Sequence, residues 1–229
     1  MPIRPPLYAV HPTQRSISGL SEVFVMKKAV FLDRDGNINR DVGYPASFES
    51  IHIYPYSFEA VNKLNSAGLL AVVITNQSGI GRGLIKEQNL QKIHKQMIQA
   101  FNAQNARIDR IYYCPHYTHS LDPKYKKNCS CRKPNPEMAL KAAKDLNIDL
   151  SGSYMVGDKV DDLLFGLNIG AKPVLVLTGY GKDSLLQLKK RNVQPVYIAK
   201  NLLHAVDWIL SQENYKDKIK FSRKGLQRQ

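Results

Sequence analysis

The chain has 229 residues, of which 43% are hydrophobic and 23% are charged. This length fits one domain of ordinary to large size and argues against a second full domain. The formal net charge of +14 would suit a nucleic-acid partner, an anionic surface or an acidic substrate, but solubility is the simpler explanation because the charge is spread. No apolar run approaches the roughly 18 residues needed to span a bilayer, so we expect no integral membrane protein.

The first 25 residues lack the uninterrupted apolar stretch of a secretory signal, so we expect a cytoplasmic protein. Because Met26-Lys27-Lys28 directly precedes the first strand-like run, residues 1–25 are predicted to be a disordered extension or the product of an upstream start codon. We expect one folded domain over residues 26–212. Residues 213–229 are rich in lysine and arginine and predict a solvated basic tail.

From residue 29 onward, short apolar runs that end abruptly in polar residues alternate with helical patterns, which is typical of buried parallel strands joined by helices. This alternation predicts right-handed crossovers and an α/β fold with a doubly wound, mainly parallel, Rossmann-like sheet. It leaves no space for a large cap. The predicted strands are Ala29–Leu32, Leu69–Ile74, Arg107–Tyr113, Ser153–Val156 and Val174–Leu177, and the predicted helices are Phe58–Ser66, Ile85–Asn102, Pro136–Leu146, a short helix after Asp158, and Leu202–Leu210.

Polar residues suited to phosphate and magnesium follow three of these strands. Asp33 and Asp35 come directly after the first strand, Thr75 follows the second, and Asp158 follows the strand that begins at Ser153. Sheets of this type bind ligands outside the carboxyl ends of their strands, so we expect these side chains to meet. Magnesium usually keeps several waters and needs only one or two carboxylates, which Asp33 and Asp158 can supply.

The same residues predict phosphoryl transfer. Once a cation neutralises the dianionic phosphate, Asp33 can attack phosphorus and form an aspartyl-phosphate. Asp35 is close enough to protonate the leaving alkoxide and later to deprotonate water. Thr75 offers donors to the phosphoryl oxygens, and Lys133 adds a compact positive charge. Asp-x-Asp-Gly alone is a common loop sequence. Here it is followed along the chain by Thr-Asn, Lys-Pro and Gly-Asp in that order, and this combination makes the prediction of a phosphoryl-transfer site specific.

Three cysteines cannot all pair with one another, and Cys129 and Cys131 are too close for an easy disulfide. Cys114-x-His116 followed by Cys129-x-Cys131 supplies three thiolates and one imidazole, a set that matches tetrahedral structural zinc. His119 is an alternative ligand, and three unrelated cysteines remain the alternative interpretation. We predict a zinc loop over residues 114–131.

Two arginines are candidates for contacts with a second anionic group. Arg132 and Lys133 directly follow Cys131, so a zinc loop would hold them at the mouth of the active site. Arg82 lies in a glycine-rich loop and, like Arg132, has the planar guanidinium that contacts phosphate in a bidentate manner. Either arginine is equally compatible with a solvated loop position.

Four motifs resemble those of the haloacid dehalogenase superfamily and, more narrowly, of the D-glycero-D-manno-heptose 1,7-bisphosphate 7-phosphatases, which are relatives of the histidinol-phosphate phosphatases. The resemblance covers roughly residues 28–181 and continues weakly to about residue 210. The motifs are Phe31-Leu32-Asp33-Arg34-Asp35-Gly36, Val73-Ile74-Thr75-Asn76-Gln77-Ser78-Gly79-Ile80, Cys131-Arg132-Lys133-Pro134 and Val156-Gly157-Asp158-Lys159.

The resemblance implies that Asp33 is the nucleophile and Asp35 the proton donor, and that Mg²⁺ is bound by Asp33, Asp158 and the backbone carbonyl of Asp35. Thr75 and Lys133 would stabilise the phosphoryl group. The same arrangement in the family supports Zn²⁺ on Cys114, His116, Cys129 and Cys131. The substrate contacts implied are Asp41, Val42, Gly43, Tyr44, Asn76, Gln77, Ser78, Arg132 and Lys159.

The substrate that the resemblance favours is a sugar bisphosphate, namely heptose 1,7-bisphosphate hydrolysed at position 7 within lipopolysaccharide or nucleotide-heptose biosynthesis. Histidinol phosphate or another small metabolite is one alternative. A nucleic-acid 3′-phosphatase is another, since the net charge is +14, although the zinc loop argues against it. A non-catalytic protein that binds nucleic acid should lack a nucleophile or metal ligand, and none is missing. We expect a monomer with no membrane partner.

Overall fold

The structure, a computed structural model, describes residues 26–226, with side chains described as far as residue 214. Six parallel strands form one sheet in the order β3-β2-β1-β4-β5-β6, which confirms the predicted α/β class. The strands are β1 (Ala29–Leu32), β2 (Leu70–Asn76), β3 (Arg110–Cys114), β4 (Tyr154–Gly157), β5 (Lys172–Val176) and β6 (Tyr197–Ala199). The chain reverses its direction of travel across the sheet between β3 and β4, which leaves β1 between β2 and β4.

Helices cover both faces of this sheet. Alternate residues of β1 point to opposite sides: Val30 and Leu32 pack in one buried cluster, and Ala29 and Phe31 pack in another. The first cluster includes residues of α1, α2 and α6, and the second includes residues of α3 and α4. The helices are α1 (Pro55–Ser66), α2 (Glu87–Asn102), α3 (Glu137–Leu146), α4 (Val160–Asn168), α5 (Gly181–Arg191) and α6 (Leu202–Leu226), with a 3-10 turn at Phe48–Ser50.

Local sequence explains where several helices begin and end. Proline at the first position of α1 costs no hydrogen bond, because the first amides of a helix have no partner within it. The α3 helix stops at Asn147, which adopts a left-handed conformation (φ 54°) that asparagine tolerates better than most residues. The start of α1 follows the loop after β1, whereas Asn147 lies at the opposite edge of the sheet, where its carbonyl accepts a hydrogen bond from the Lys27 amide just before β1.

The structure differs from the predicted elements in three places. Strand β6 and helix α5 were not predicted, and α6 continues to Leu226 instead of ending near Leu210. The longer α6 has an anchor at Glu213, whose carboxylate accepts hydrogen bonds from Lys28 and from the Tyr154 hydroxyl. The predicted extension at residues 1–25 lies outside the described residues. Among the helices that the structure describes, none is long and apolar enough to cross a membrane.

Candidate active site

A cavity of 380 Å³ opens at the carboxyl ends of the central strands, where the sequence predicts a site. It brings together almost every predicted catalytic and substrate-contacting residue. Val42 is half-buried and does not line the cavity, and Asp158 is buried just beneath it. The lining residues are Asp33, Asp35, Asp41, Gly43, Tyr44, Thr75, Asn76, Gln77, Ser78, Arg132, Lys133, Lys159, Asp161, Asp162 and Tyr180.

Lys133 lies at the base of the cavity between two carboxylates. Its Nζ is 2.6 Å from Asp33 Oδ1 and 2.6 Å from Asp162 Oδ1, and it also donates to the Ile74 carbonyl at 2.8 Å. The lysine is almost fully buried; burial alone would lower its pKa, but Asp162 and Asp33 outweigh that effect and raise it. Lys133 is therefore a fixed cation in direct contact with the predicted nucleophile.

Three buried carboxylates form a cluster that could hold a metal ion. One oxygen from each of Asp33, Asp158 and Asp162 lies within 4.8 Å of the others. Burial raises the pKa of Asp158 to about 8, with a further contribution from Asp33, and burial raises the pKa of Asp33 to about 6 against the opposing effect of Lys133. Asp158 Oδ1 is buried without a hydrogen-bond partner among the described residues. An unpaired buried carboxylate oxygen next to another acid fits a hard cation such as Mg²⁺.

The side chain of Asp35 is held by four hydrogen bonds. Arg34, itself fully buried, donates from Nε to Oδ1 at 3.0 Å and from Nη2 to Oδ2 at 2.7 Å. Asn39 and Gln77 add bonds of 3.0 and 2.9 Å. Burial by itself would raise the pKa of Asp35, but Arg34 and the two amides outweigh it, so the pKa is lowered. His94 packs behind Arg34, with Nε2 3.2 Å from Nη1.

The segment after β2 connects the cavity to the Lys133 loop. Asn76 forms two hydrogen bonds with the backbone of Lys133. Its Oδ1 accepts from the Lys133 amide at 3.0 Å, and its Nδ2 donates to the Lys133 carbonyl at 3.2 Å. Gln77 Nε2 donates to Thr75 Oγ1 at 2.9 Å as well as to Asp35. Asn76 therefore positions Lys133, in addition to lining the cavity with Ser78.

The loop after β1 reaches over the opposite side of the cavity. Asp41 accepts a hydrogen bond from Lys159 Nζ at 3.1 Å and one from the Gly43 amide at 3.0 Å. Tyr44 is exposed and packs on Gly79, where a Cβ would come within 2.5 Å of the tyrosine ring. The cavity wall is thus formed by loops from separate strands, as the motifs predict.

The four predicted cysteine and histidine ligands also converge. Cys131 Sγ lies 2.8 Å from Cys114 Sγ and 3.3 Å from Cys129 Sγ, and His116 Nδ1 lies 3.1 Å from Cys131 Sγ. One ligand atom from each lies within 4.8 Å of the others, so this group could hold a metal ion. His119 is not part of the group and packs against Tyr117 instead. Burial lowers the pKa of His116, which favours the neutral imidazole that binds metals.

A second cavity of 310 Å³ adjoins the first and shares Arg132, Lys133 and Asp161 with it. Arg82 lines this cavity, and its guanidinium carbon lies 3.9 Å from the centre of the Tyr117 ring. Arginines 82 and 132 therefore reach one region beside the predicted phosphate position, although they come from loops that follow different strands.

Sequence reasoning missed Asp162 and Tyr180. Asp162 contacts Lys133 and also accepts a hydrogen bond from the Lys159 amide at 2.9 Å, at the first turn of α4. An aspartate at the third position of a predicted helix is a recognisable capping signal, and it would have pointed to this residue. Tyr180, after β5, follows a strand that carries none of the predicted motifs.

Comparison with known proteins agrees with this geometry. A family model described as HAD-hydrolase-like matches residues 130–205. The chain is 45% identical over 155 residues to the D-glycero-beta-D-manno-heptose-1,7-bisphosphate 7-phosphatase of Pasteurella multocida, covering 67% of this chain and 84% of that protein. It is 36% identical over 197 residues to the D-glycero-D-manno-heptose-1,7-bisphosphate 7-phosphatase of Chlorobaculum tepidum, covering 83% and 98%.

A solved structure shows the same fold. The D,D-heptose 1,7-bisphosphate phosphatase from B. bronchiseptica, complexed with magnesium and phosphate, superposes with a TM-score of 0.72 and 32% identity, covering 81% of this chain and 99% of that one. The sheet, the buried Asp33–Lys133 pair and these relatives define a phosphatase of the haloacid dehalogenase class. Within that class, the chain belongs to the D-glycero-D-manno-heptose 1,7-bisphosphate 7-phosphatase family.

Proposed function

We propose that this protein hydrolyses the 7-phosphate of D-glycero-D-manno-heptose 1,7-bisphosphate through an aspartyl-phosphate on Asp33. The observation that carries the proposal is the position of Asp33, which lies 2.6 Å from Lys133 and belongs to the buried acid cluster, in a cavity lined by further cations. The names of its relatives supply the substrate.

Asp33, Asp158 and the backbone carbonyl of Asp35 would hold Mg²⁺. When bound there, the ion supplies positive charge that offsets the repulsion between the substrate's phosphate and the carboxylate nucleophile. The raised pKa values of Asp33 and Asp158 support this role. They indicate that burial disfavours the two negative charges and that Lys133 alone does not fully neutralise them, so a bound cation would stabilise both carboxylates.

The chain's own residues would then act in sequence. A carboxylate oxygen of Asp33 attacks phosphorus, the bond from phosphorus to the sugar oxygen breaks, and Asp35 gives the leaving oxygen a proton. Lys133 and Thr75 bind the phosphoryl oxygens as charge builds on them. Asp35 next takes a proton from water, which attacks the aspartyl-phosphate, releases phosphate and restores Asp33.

Substrate recognition would use the rest of the cavity wall. Asp41, Gly43 and Tyr44 would bind the sugar together with Lys159, and Asn76, Gln77 and Ser78 would line the opposite side. Val42, in the same loop, does not line the cavity and would only help to shape that loop. We propose that Arg132 binds the second phosphate, because it lies at the junction of the two cavities with Arg82 nearby. The guanidinium groups suit the flat, bidentate geometry of a phosphate.

We propose that the metal at Cys114, His116, Cys129 and Cys131 is Zn²⁺ in a structural site. Three thiolates and one imidazole fill a tetrahedral shell and leave no open position for chemistry. The site would hold Arg132 and Lys133 in place, because these residues directly follow Cys131. The free thiols also favour a reducing compartment, and we propose a cytoplasmic location and a monomer. We propose one folded domain over residues 26–212, from which helix α6 continues to Leu226.

The test is phosphate release from a panel of heptose 1,7-bisphosphate, fructose 1,6-bisphosphate, histidinol phosphate and a 3′-phosphorylated oligonucleotide. Wild type and Asp33→Asn are compared with Mg²⁺ and with no divalent ion other than the protein's zinc. We expect preference for heptose bisphosphate by about two orders of magnitude or more, the usual cost of losing specific contacts to a polar substrate. Activity should require both Mg²⁺ and Asp33.

Other outcomes would point elsewhere. Preference for the oligonucleotide would indicate that the net charge of +14 serves nucleic-acid recognition and not only solubility. Preference for histidinol phosphate would indicate a histidinol-phosphate phosphatase. No Mg²⁺-dependent release from any compound would refute the phosphatase mechanism, and steeply salt-dependent binding of nucleic acid without turnover would indicate a binding protein.

A further inference from the structure

Among its described lining residues, the active-site cavity is mostly charged or polar, and its aromatic side chains are Tyr44 and Tyr180. Tyr44 lies on the loop after β1 and Tyr180 on the loop after β5, and these two strands flank β4 on opposite sides. The two side chains are 45% and 53% exposed. Exposed aromatic rings beside an ionic cavity offer apolar surface for the part of a ligand that carries no charge.

The backbone of Tyr180 is attached to the candidate metal site. Its amide donates to Asp158 Oδ2 at 2.7 Å, and its carbonyl accepts from the Ser184 amide at 2.9 Å in the first turn of α5. Gly179, with φ of +53°, lies so close that a Cβ would overlap the Asp158 carboxylate. The backbone of Tyr180 is therefore fixed relative to the phosphate-binding region by direct contact with Asp158.

The side chain of Tyr180 is free to contact a ligand. Lys159 Nζ lies over the ring, 5.0 Å from its centre, and is restrained by its ion pair with Asp41. Among the residues whose side chains are described, none forms a hydrogen bond with the Tyr180 hydroxyl. The cation restrains the ring, and the exposed part of Tyr180 remains accessible from the cavity that it lines.

We propose that Tyr180 is a specificity-determining residue whose ring packs against the carbon skeleton of the phosphorylated sugar and whose hydroxyl bonds a sugar hydroxyl. This inference rests on the proposed function. Because Asp33 and Lys133 handle the phosphate, and the Tyr180 side chain contacts neither, its contact is the same before and during the reaction. It should therefore lower KM and leave kcat unchanged.

The test measures kcat and KM for Tyr180→Ala and Tyr180→Phe with heptose 1,7-bisphosphate and with acetyl phosphate, which can phosphorylate Asp33 but has no sugar. Leu186→Ala is the control, because Leu186 is a large, 62% exposed side chain on α5 outside the cavity lining. We expect Tyr180→Ala to raise KM for the sugar about five- to tenfold, the usual effect of losing one aromatic contact. Tyr180→Phe should raise it less.

Turnover of acetyl phosphate by every variant should stay within about twofold of wild type, since uniform substrate binding does not alter chemistry at phosphorus. An unchanged sugar KM in Tyr180→Ala would overturn the inference. An equal loss with acetyl phosphate would also overturn it, because Tyr180 would then only support Asp158. If wild type prefers another phosphorylated sugar, the proposed function fails, and the same variants decide the role of Tyr180 with that sugar. A wild type that hydrolyses only compounds without a sugar overturns both.

Discussion

Removal of the Lys133 charge should destabilise the protein before any substrate is present. In Lys133→Met a side chain of similar length stays in place, but the carboxylates of Asp33 and Asp162 lose a cation that lies 2.6 Å from each. All three groups are buried. Removing one partner of a buried ion pair leaves an uncompensated charge, which costs about 3–5 kcal/mol.

For a domain of this size, that free energy corresponds to a fall in Tm of about 6–20 °C. The fall should be larger at pH 8 than at pH 5. Lys133 lowers the pKa of Asp33, which is about 6 with the lysine present, so without it the carboxyl should take up a proton more readily in mild acid. A protonated carboxyl no longer needs a buried cation, and part of the cost disappears.

The assay is thermal unfolding by circular dichroism in buffer without Mg²⁺ or chelator, so that bound zinc is kept. Lys141→Met is the matched control, since Lys141 forms an exposed pair with Asp145 at 3.1 Å and such pairs contribute little. The double variant Lys133→Met/Asp162→Asn should recover part of the lost Tm but none of the phosphatase activity. If Lys133→Met unfolds within about 2 °C of wild type at pH 8, the loss is too small for a buried pair and this account of the charge balance is wrong.

Four further predictions concern the two candidate metal sites. Mg²⁺ must displace protons from Asp158 and Asp33, whose pKa values are about 8 and about 6, so its Kd measured by calorimetry should rise as pH falls from 8 to 6. Between pH 6 and pH 8 the free energy of unfolding of the Mg²⁺-free protein should fall as pH rises, because a carboxyl group with a raised pKa favours the folded state only while it is protonated. Gly179→Ala should weaken Mg²⁺ binding, because the added Cβ would overlap the Asp158 carboxylate. Gly170→Ala is the control: its φ is +72° and no atom lies near its Cβ position, so this variant should lower Tm without changing Mg²⁺ affinity. Equal Mg²⁺ affinities for the two variants would argue against the clash with Asp158. Cys131→Ser should reduce bound zinc, measured by a colorimetric assay, and lower kcat by at least about tenfold, and full activity without zinc would contradict a structural role.

Much of the fold could be predicted because the central strands are buried on both faces. Strands β1, β2 and β4 are continuous apolar runs that end in polar residues. Such short runs are typical of buried parallel strands, so the sequence predicts them well. Strand β6 has three residues at the edge of the sheet, and its middle residue, Ile198, is exposed. A strand that is short and half-buried leaves almost no periodic signal.

The candidate site shows a similar division. The motif residues could be predicted to meet because the carboxyl ends of parallel strands share one edge of the sheet. The capping role of Asp162 on α4 could be read from the sequence, but its contact with Lys133 could not, because a shared cation depends on how the helix packs on the sheet. The same holds for Arg34: next to two aspartates in a loop it gives no sign of full burial, yet it is buried and bonded to Asp35.

The bonds around Asp35 bear on its predicted role. Four donors and a lowered pKa stabilise the carboxylate, which suits the removal of a proton from water but opposes the earlier donation of one to the sugar oxygen. Gln77 is the donor most open to change, because its amide also bonds Thr75, a predicted phosphate contact. Phosphate bound at Thr75 would compete for that amide, and each bond lost by Asp35 raises its pKa towards the protonated form. The same side chain would therefore link the arrival of phosphate to the availability of the proton that the first step consumes.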